Sequence, residues 1–444
     1  MELKESIKGI VDLGDDLTPE VNDEERLHGE VMDNLIETAL FHKEDGVKEL
    51  CQVLIRSISR NLGAYPASIQ NLYEAMGRGE AAGFTVPAIN IRGMTHHFAA
   101  TVFRAAMKLD VGPFIFEIAR SEIGYTLQRP SEFSAMICAA AINTGYRGPV
   151  FIQGDHFQIK ASAYNKNGET EVNDIKRLIL EAIDANFYNI DVDTSTLVDL
   201  ELEGLSEQQR ENYENCALLT EFIRENEPYN VTVSVGGEIG EVGKKNSTPE
   251  ELEAFMEGYS KSLPADLTGI SKISVQTGTS HGGVVLPDGS IADVNLDIET
   301  LGVLSDSARN THGLCGAVQH GASTLPDEVF NKFPEVGCAE IHLATAFQNL
   351  IFDHPALPKE FRDSIYEHLS KAHADERKEE WTDEQFYYKT RKKAFGPFKR
   401  EFWELDADIK NTIFSDLQNK FEFLFKKLGV ENTRHHTDKY ITQV

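Results

Sequence analysis

The sequence has 444 residues, of which 41% are hydrophobic and 26% are charged, and this balance is typical of a globular protein with a sizeable core. Its length allows one large α/β domain with attachments or two domains of ordinary size. The formal net charge of −29 excludes nucleic acid and anionic membranes as expected partners, because the long-range field repels both. A small anionic substrate is not excluded, since it responds to local groups.

Cysteine usage and the N-terminus both predict a cytoplasmic protein. The five cysteines are scattered and form no Cys-x-x-Cys pair, which is typical of a reduced intracellular protein. The first residues lack the apolar segment of a signal peptide, and no stretch approaches the roughly eighteen apolar residues of a membrane span.

Residues 1–78 are predicted to form an N-terminal helical extension. Apolar residues recur at three- and four-residue spacing over residues 30–40 and 47–58. We expect these helices to pack against the main domain or against a neighbouring subunit.

Residues 79–350 repeat a pattern of short apolar runs, most of them followed by a helical pattern. The runs cover residues 85–91, 113–119, 148–154, 188–193, 229–235, 270–277, 314–319 and 339–344. Apolar strands that alternate with helices predict parallel strands covered by helices. Eight such units predict an α/β fold, a closed (β/α)8 TIM barrel whose active site lies at the C-terminal ends of the strands. An open doubly wound sheet is the alternative, but no Gly-x-Gly-x-x-Gly motif follows the first run.

Residues 351–444 are predicted to form a C-terminal helical extension. They contain a locally basic stretch from Lys389 to Phe395, which is either an anion contact or a solvated helix face. The pair His435-His436 near the end is predicted to be disordered.

Polar residues suited to catalysis follow several of the predicted strands. Asp155 and His156 follow the third strand, Glu238 follows the fifth, His281 the sixth and His320 the seventh. Because strand ends converge at the mouth of a barrel, the three histidines predict a catalytic Zn²⁺ site, or a site for another divalent ion, with Glu238 as a further ligand. Such a metal polarises a carbonyl and stabilises an enediolate, and Asp155 is the predicted proton shuttle. A surface turn is the alternative interpretation of the Asp-His pair alone.

The stretches after two of these histidines predict an oxyanion site. They are Gly282-Gly283 and Gly321-Ala322-Ser323. Small residues leave backbone N–H groups unobstructed, so that they can surround a phosphate, and the last strand ends of a barrel often hold one. Plain turns are the alternative.

Together these motifs resemble the class II, metal-dependent fructose-bisphosphate and tagatose-bisphosphate aldolase family. The matching stretches are Val86-Pro87-Ala88-Ile89-Asn90, Gly154-Asp155-His156, Val233 to Gly240, Gly278-Thr279-Ser280-His281-Gly282 and Gln319-His320-Gly321-Ala322-Ser323, in the family's order. The resemblance implies a barrel, a homodimer or larger homo-oligomer, and reversible aldol cleavage of a ketose phosphate into a triose ketone and an aldehyde.

The resemblance also implies the role of each site residue. His156, His281 and His320 bind zinc, Glu238 is a further metal-site residue, and Asp155 handles the proton of the C4 hydroxyl. The implied substrate contacts are Asn90, Gly282, Gly321, Ala322, Ser323, His342, Thr345 and Arg391. A monovalent cation, Na⁺ or K⁺, often helps the glycines and Ser323 to hold the phosphate.

Two stretches depart from the family pattern. After the eighth strand the family usually has Asn-x-Asp-Thr, where Asn contacts the ketone and Asp-Thr lies near its phosphate. Here the stretch is His342-Leu343-Ala344-Thr345, and the family's serine after the second strand is replaced by Ala119. Arg391 matches the late-helix arginine that reaches the distal phosphate, with a one-residue slip. We expect both substrate ends to be held differently.

The sequence therefore predicts a zinc-dependent aldolase, by default one that cleaves fructose 1,6-bisphosphate into dihydroxyacetone phosphate and glyceraldehyde 3-phosphate. Tagatose bisphosphate or a ketose lacking one phosphate is the close alternative. A non-catalytic barrel used as an interaction surface, and a metal-dependent hydrolase on the same fold, are the alternatives from other classes.

Overall fold

Eight parallel strands close into a barrel, which confirms the predicted fold. The computed structural model describes residues 7–14, 18–240, 245–279, 285–287 and 296–443. From the N-terminus the strands are β1 (Val11–Leu13), β2 (Pro19–Val21), β3 (Ala64–Ala67), β4 (Val86–Asn90), β5 (Ile115–Ala119), β6 (Gly148–Gln158), β7 (Asn189–Asp193), β8 (Ser234–Glu238), β9 (Lys272–Val275), β10 (Ala317–Gln319) and β11 (Glu340–Leu343). Strands β4 to β11 pair in chain order, and β11 pairs with β4 to close the barrel.

Helices surround the barrel and form both extensions. They are α1 (Glu24–Leu27), α2 (Glu30–Phe41), α3 (Asp45–Asn61), α4 (Gln70–Gly77), α5 (Thr95–Lys108), α6 (Arg120–Tyr125), α7 (Pro130–Thr144), α8 (Ala161–Tyr164), α9 (Gly168–Asp184), α10 (Leu205–Asn226), α11 (Pro249–Ser262), α12 (Ile298–His312), α13 (Lys332–Glu335), α14 (Thr345–Phe352), α15 (Lys359–Ala372), α16 (Asp383–Thr390), α17 (Lys399–Trp403), α18 (Ala407–Lys427) and α19 (Arg434–Tyr440). Short 3₁₀ helices cover Ser195–Leu197, Ala322–Thr324, Ala374–Glu376 and Arg391–Ala394. No helix in the described part of the chain is long and apolar enough to cross a bilayer.

Strand β8 lies further along the chain than its apolar run predicts, and a glycine explains the shift. The run 229–235 was expected to be the strand, whereas the strand is Ser234–Glu238. A Cβ atom on Gly236 would lie 2.3 Å from Asp191 Oδ1 and 2.8 Å from Lys272 Cε. Charged side chains inside the barrel therefore require a glycine in the middle of this strand. Glu238 becomes its last residue.

Helix α7 joins the N-terminal extension to the barrel. Its sequence is apolar on all sides, as in a helix buried on all sides. Phe133 and Ile137 belong to the barrel core, whereas Met136, Cys138 and Ile142 pack in a second core with α2 and α3. The N-terminal helices thus pack against the main domain, one of the two arrangements that the sequence predicts.

The N-terminal extension also contains strands, which the helical periodicity did not predict. Strands β1 and β2 form an antiparallel pair, and β3 pairs with the first residues of β6. The Asn189 amide fixes β3 in place, because it accepts from Ile69 N at 2.9 Å and donates to Ala67 O at 3.2 Å. These pairings join distant parts of the chain, so local patterning cannot reveal them.

The C-terminal extension packs along the barrel and ends in a helix, so the predicted disorder of His435-His436 is wrong. On α18, Phe421 lies 5.4 Å from Phe98 of α5 between ring centroids. The chain then turns back, where Asn432 N donates to Leu109 O at 2.9 Å and the Thr433 hydroxyl accepts from Gly112 N. Both histidines lie on α19.

Candidate active site

A bulge at the end of β6 brings two consecutive side chains to the mouth of the barrel. Consecutive residues of a regular strand point to opposite faces. The pairing of β6 with β7 shifts register between Gly154 and Phe157, and His156 has a φ of 42°. Both Asp155 and His156 therefore line one cavity. A Cβ atom on Gly154 would lie 2.4 Å from the Phe157 ring, so the bulge requires glycine there.

His156 lies between carboxylates on both of its ring nitrogens. Nδ1 is 2.9 Å from Asp193 Oδ2 and 3.4 Å from Glu238 Oε2, and Nε2 is 3.7 Å from Asp155 Oδ1. The Ser195 N–H and hydroxyl donate to the other oxygen of Asp193. Burial lowers the pKa of His156, but the carboxylates outweigh it and raise the pKa well above its ordinary value.

His320 follows β10, and its ring contacts that of His156 at an interplanar angle of 42°. The two ring centroids are 4.3 Å apart, and His320 Nε2 lies 2.9 Å from Ser274 Oγ. Asp155, His156 and His320 each offer a ligand atom, and the three atoms lie within 4.8 Å of one another. Two imidazoles and a carboxylate at this spacing, with Glu238 beside them, fit one divalent ion. His281 and Gly282, the other predicted residues here, lie outside the described residues.

His342 occupies the centre of a second polar cluster, deeper in the barrel. Its ring centroid is 4.0 Å from that of His320. Nδ1 lies 3.0 Å from Glu117 Oε2 and 3.4 Å from Asp155 Oδ1, and Nε2 lies 2.7 Å from Glu340 Oε1. Burial lowers the pKa of His342, but these carboxylates raise it well above its ordinary value. A charged imidazole in this place favours an ionised Asp155.

Charged residues in the middle of the strands were missed by the sequence analysis. Glu117 lies within β5, and burial followed by the nearby Asp155 raises its pKa to about 7. Lys272 of β9 places Nζ 2.6 Å from Glu340 Oε1, 2.9 Å from Asp191 Oδ1 and 2.8 Å from Gln153 Oε1. The sequence did contain a signal, because each of these charges interrupts an apolar run. In the barrel, these side chains point inward.

The cavity above these clusters has a volume of about 370 Å³ and carries both signs of charge. Glu117, Asp155 and Glu238 line one part of it. Basic residues line the rest, namely Arg92, Arg120, Lys160, Lys389 and Lys392. A local concentration of basic groups in a chain of net charge −29 suits a small anionic ligand.

Most of the predicted substrate contacts line this cavity. They are Asn90, Gly321, Ser323, His342 and Thr345. Asn90 donates to Glu122 Oε2 at 2.6 Å, and its buried Oδ1 has no hydrogen-bond partner among the described residues. The Ser323 hydroxyl accepts from the N–H of Thr345 at 3.0 Å. Ala322 is fully buried and is not part of the cavity lining.

Arg391 does not reach the cavity, and this corrects the prediction that it contacts the distal phosphate. Its guanidinium forms an ion pair with Asp353, at 2.5 Å and 2.9 Å, and donates to Asn349 Oδ1 at 2.7 Å. It also stacks near the Tyr388 ring, with 4.9 Å to the centroid. These contacts hold the 3₁₀ helix against α14. The next residue, Lys392, is the one that lines the cavity.

Comparisons with known proteins match most of the chain. A family model described as fructose-bisphosphate aldolase class-II matches residues 70–395. A solved probable tagatose 6-phosphate kinase from Sinorhizobium meliloti has a TM-score of 0.54 and 12% identity, and the match covers 79% of this chain and 99% of that chain.

Two further solved structures are similar. A fructuronate-tagaturonate epimerase from Cohnella laeviribosi has a TM-score of 0.52 and 14% identity, over 92% of this chain and 90% of that chain. A fructose-bisphosphate aldolase from Campylobacter jejuni has a TM-score of 0.48 and 18% identity, over 83% of this chain and 96% of that chain. No curated protein matches the chain.

Proposed function

The chain belongs to the class II fructose-bisphosphate aldolase family, and on that premise we propose that it is a zinc-dependent lyase that reversibly cleaves a ketose phosphate. The default substrate is fructose 1,6-bisphosphate, which yields dihydroxyacetone phosphate and glyceraldehyde 3-phosphate. The observation that carries the proposal is that Asp155, His156 and His320 place ligand atoms within 4.8 Å of one another in a cavity at the mouth of the barrel.

His156 and His320, with His281 as the sequence predicts, hold the metal in this proposal, and Glu238 is a further ligand. A divalent ion held there would act as a Lewis acid toward the substrate ketone and would stabilise negative charge on its oxygen. Asp193 orients His156, because it lies 2.9 Å from Nδ1 and accepts the proton of that nitrogen when Nε2 is the ligand atom.

Asp155 serves as the general base for cleavage. It removes the proton from the hydroxyl on the carbon that becomes the aldehyde, while the electrons of the breaking C–C bond pass to the ketone half. In the reverse direction it returns that proton. His342 holds the Asp155 carboxylate from below, at 3.4 Å from Oδ1.

The substrate is held by groups from several strand ends. The Oδ1 of Asn90 accepts from a substrate hydroxyl, and the N–H groups around Gly321 and Ser323 hold its phosphate in this proposal. The proposal includes a homodimer or larger homo-oligomer in the cytoplasm. The family resemblance also predicts a monovalent cation near the phosphate.

Epimerisation through the same bond cleavage is the second candidate. The solved epimerase is similar to this chain over 92% of its length. Three residues of the C-terminal extension, Tyr388, Lys389 and Lys392, also form part of the cavity wall. A wall that retains the aldehyde after cleavage would let it rotate and add again from its other face.

One experiment tests the metal and the reaction together. Metal content and cleavage of fructose 1,6-bisphosphate should be measured before and after chelation. We expect about one catalytic divalent ion per chain and cleavage that a chelator abolishes and zinc restores. Bound metal with an epimerised ketose instead of triose products would favour the second candidate. Absence of both bound metal and turnover would refute the proposal.

Replacing His320 with alanine should lower metal content and cleavage together. Loss of a residue that orients a metal ligand typically weakens metal binding by about 10–100-fold, and loss of the ligand itself should weaken it further. Metal affinity is measured by titration of the metal-free protein. His312→Ala, on α12 and paired with Glu253, is the matched control and should keep native affinity. Normal zinc occupancy in His320→Ala would contradict the ligand assignment.

A further inference from the structure

The cavity lacks two polar side chains that the family pattern has at its wall. Ala119 stands where the family has serine, and Ala344 stands where it has aspartate. Both alanines line the cavity. A methyl group neither donates a hydrogen bond nor holds a cation, so an anion bound near Ala344 needs another source of affinity.

Two cationic side chains, Arg92 and Lys392, line the cavity near Ala344. Arg92, after β4, donates to Glu122 Oε1 at 2.7 Å and to Gln348 Oε1 at 2.8 Å, and its Nη1 lies 3.5 Å from the Thr345 hydroxyl. Thr345 in turn donates its N–H to Ser323 Oγ. Arg92 therefore lies directly beside the predicted phosphate cradle.

Lys392 is a basic residue of the cavity that no carboxylate contacts directly in the described part of the chain. Arg120 is bound by Glu171, and Arg92 is bound by Glu122. The Lys392 ammonium lies 5.7 Å from the centre of the Tyr125 ring, and it makes no hydrogen bond or ion pair with the described residues. A half-buried ammonium without a carboxylate is costly unless a ligand supplies the counter-charge.

Burial and the nearby Arg92 lower the pKa of Lys392 to about 8, while Glu122 partly opposes this effect. The ammonium is therefore charged at neutral pH but holds its proton weakly. An anion that binds between Lys392 and Arg92 would pair with both cations and keep Lys392 charged.

We propose that Lys392 and Arg92 form the anion subsite of this cavity, beside Ser323 and Thr345, and that it binds a compact oxyanion of the ketone half of the substrate. The identity of the substrate rests on the proposed function, whereas the binding of an anion at this subsite does not. Lys392 supplies the positive charge for which relatives often use a monovalent cation, so binding is independent of Na⁺ and K⁺.

The test measures the affinity of the metal-loaded, full-length protein for inorganic sulfate by calorimetry. Sulfate keeps its two charges between pH 6 and about pH 9.5, so any titration belongs to the protein. Lys392→Met should weaken binding about tenfold or more, because it removes a charged donor. Lys393→Met is the matched control, because Lys393 is one residue away and is bound by Glu376 on the surface. It should bind sulfate as the native chain does.

Affinity should also depend on pH in a defined direction. Above pH 8 Lys392 loses its proton, so the native affinity should fall by up to about tenfold per pH unit, and that of Lys392→Met should stay flat. The charged or titratable groups that face Lys392 are Arg92, Glu122, Tyr125, Lys389 and Lys393. The pKa values of Arg92 and Tyr125 are raised, so neither changes charge in this range, whereas burial lowers that of Lys389. Lys389→Met is therefore a second control and should keep the pH step.

Several outcomes would overturn the proposal. They are absence of sulfate binding by the native chain, equal affinities of Lys392→Met and Lys393→Met, or binding that disappears when choline replaces Na⁺ and K⁺. Comparing inorganic phosphate with acetate identifies the anion, since preference for phosphate indicates a ketose phosphate and preference for acetate indicates a keto acid. Lys392-dependent binding without cleavage of any ketose would refute the proposed function alone.

Discussion

Replacing Asp155 with asparagine should reduce kcat for ketose cleavage by roughly 10²–10⁴-fold while metal content stays near one ion per chain. The amide has the shape of the carboxylate but cannot take the hydroxyl proton. The carboxylate is suited to this role because it is buried in the cavity wall, 3.4 Å from His342 Nδ1 and 3.7 Å from His156 Nε2, between two groups that favour its ionised form.

The control variant is Asp174→Asn, on the exposed side of α9, which should keep native kcat and metal content. The two readouts separate a base from a ligand. Loss of both metal and turnover in Asp155→Asn would make Asp155 a metal ligand, consistent with its place in the same group as His156 and His320. Unaltered turnover would remove it from the mechanism.

The convergence of the site residues was predictable, because a parallel barrel brings the ends of its strands together. Asp155, Glu238 and His320 come from strands far apart in sequence, yet all three line one cavity. Eight apolar runs were enough to predict that convergence, since closure of the barrel leaves the strand ends only one place to meet. What the sequence could not give was the bulge that lets Asp155 and His156 face the same way.

Three consecutive basic residues show where sequence reasoning stops. In a 3₁₀ helix each residue turns the chain by about 120°, so neighbours face three different directions. Arg391 turns into the protein toward Asp353, Lys392 turns into the cavity, and Lys393 turns to the surface and binds Glu376. The stretch reads as one basic patch, and only the packing of the helix on α14 decides which residue can contact a ligand.

The interior charges were missed for a different reason. Glu117 lies in the middle of an apolar strand, and Lys272 and Glu340 are the first residues of strands that carry one further polar residue each. Each charge is acceptable only because the others are there, and their pairing crosses the barrel between strands that are distant in sequence. Periodicity describes one strand at a time, so it cannot show such a network.

Replacing Lys272 with methionine should lower the free energy of unfolding by about 3–5 kcal/mol. Lys272 is fully buried and pairs with Asp191 and Glu340, and the Tyr73 hydroxyl also donates to Glu340. Methionine fills similar space but leaves the two buried carboxylates without the lysine ammonium, with His342 as their remaining cationic neighbour. Urea unfolding measures the effect. Lys261→Met, an exposed lysine paired with Glu257 on α11, should change stability by less than about 1 kcal/mol.

The pH dependence distinguishes lost charge from lost packing. Burial opposes ionisation of Glu340, but Lys272 and His342 outweigh it and hold the pKa below its ordinary value. A carboxyl group whose pKa is lowered in the folded protein stabilises the fold at pH values above its pKa in the unfolded chain. This contribution is lost as the pH falls. The deficit of Lys272→Met should therefore be largest near neutral pH and shrink in acid. Adding Glu340→Gln should recover part of it. A deficit that is equal at all pH values and unaffected by Glu340→Gln would mean that lysine stabilises the barrel by packing alone.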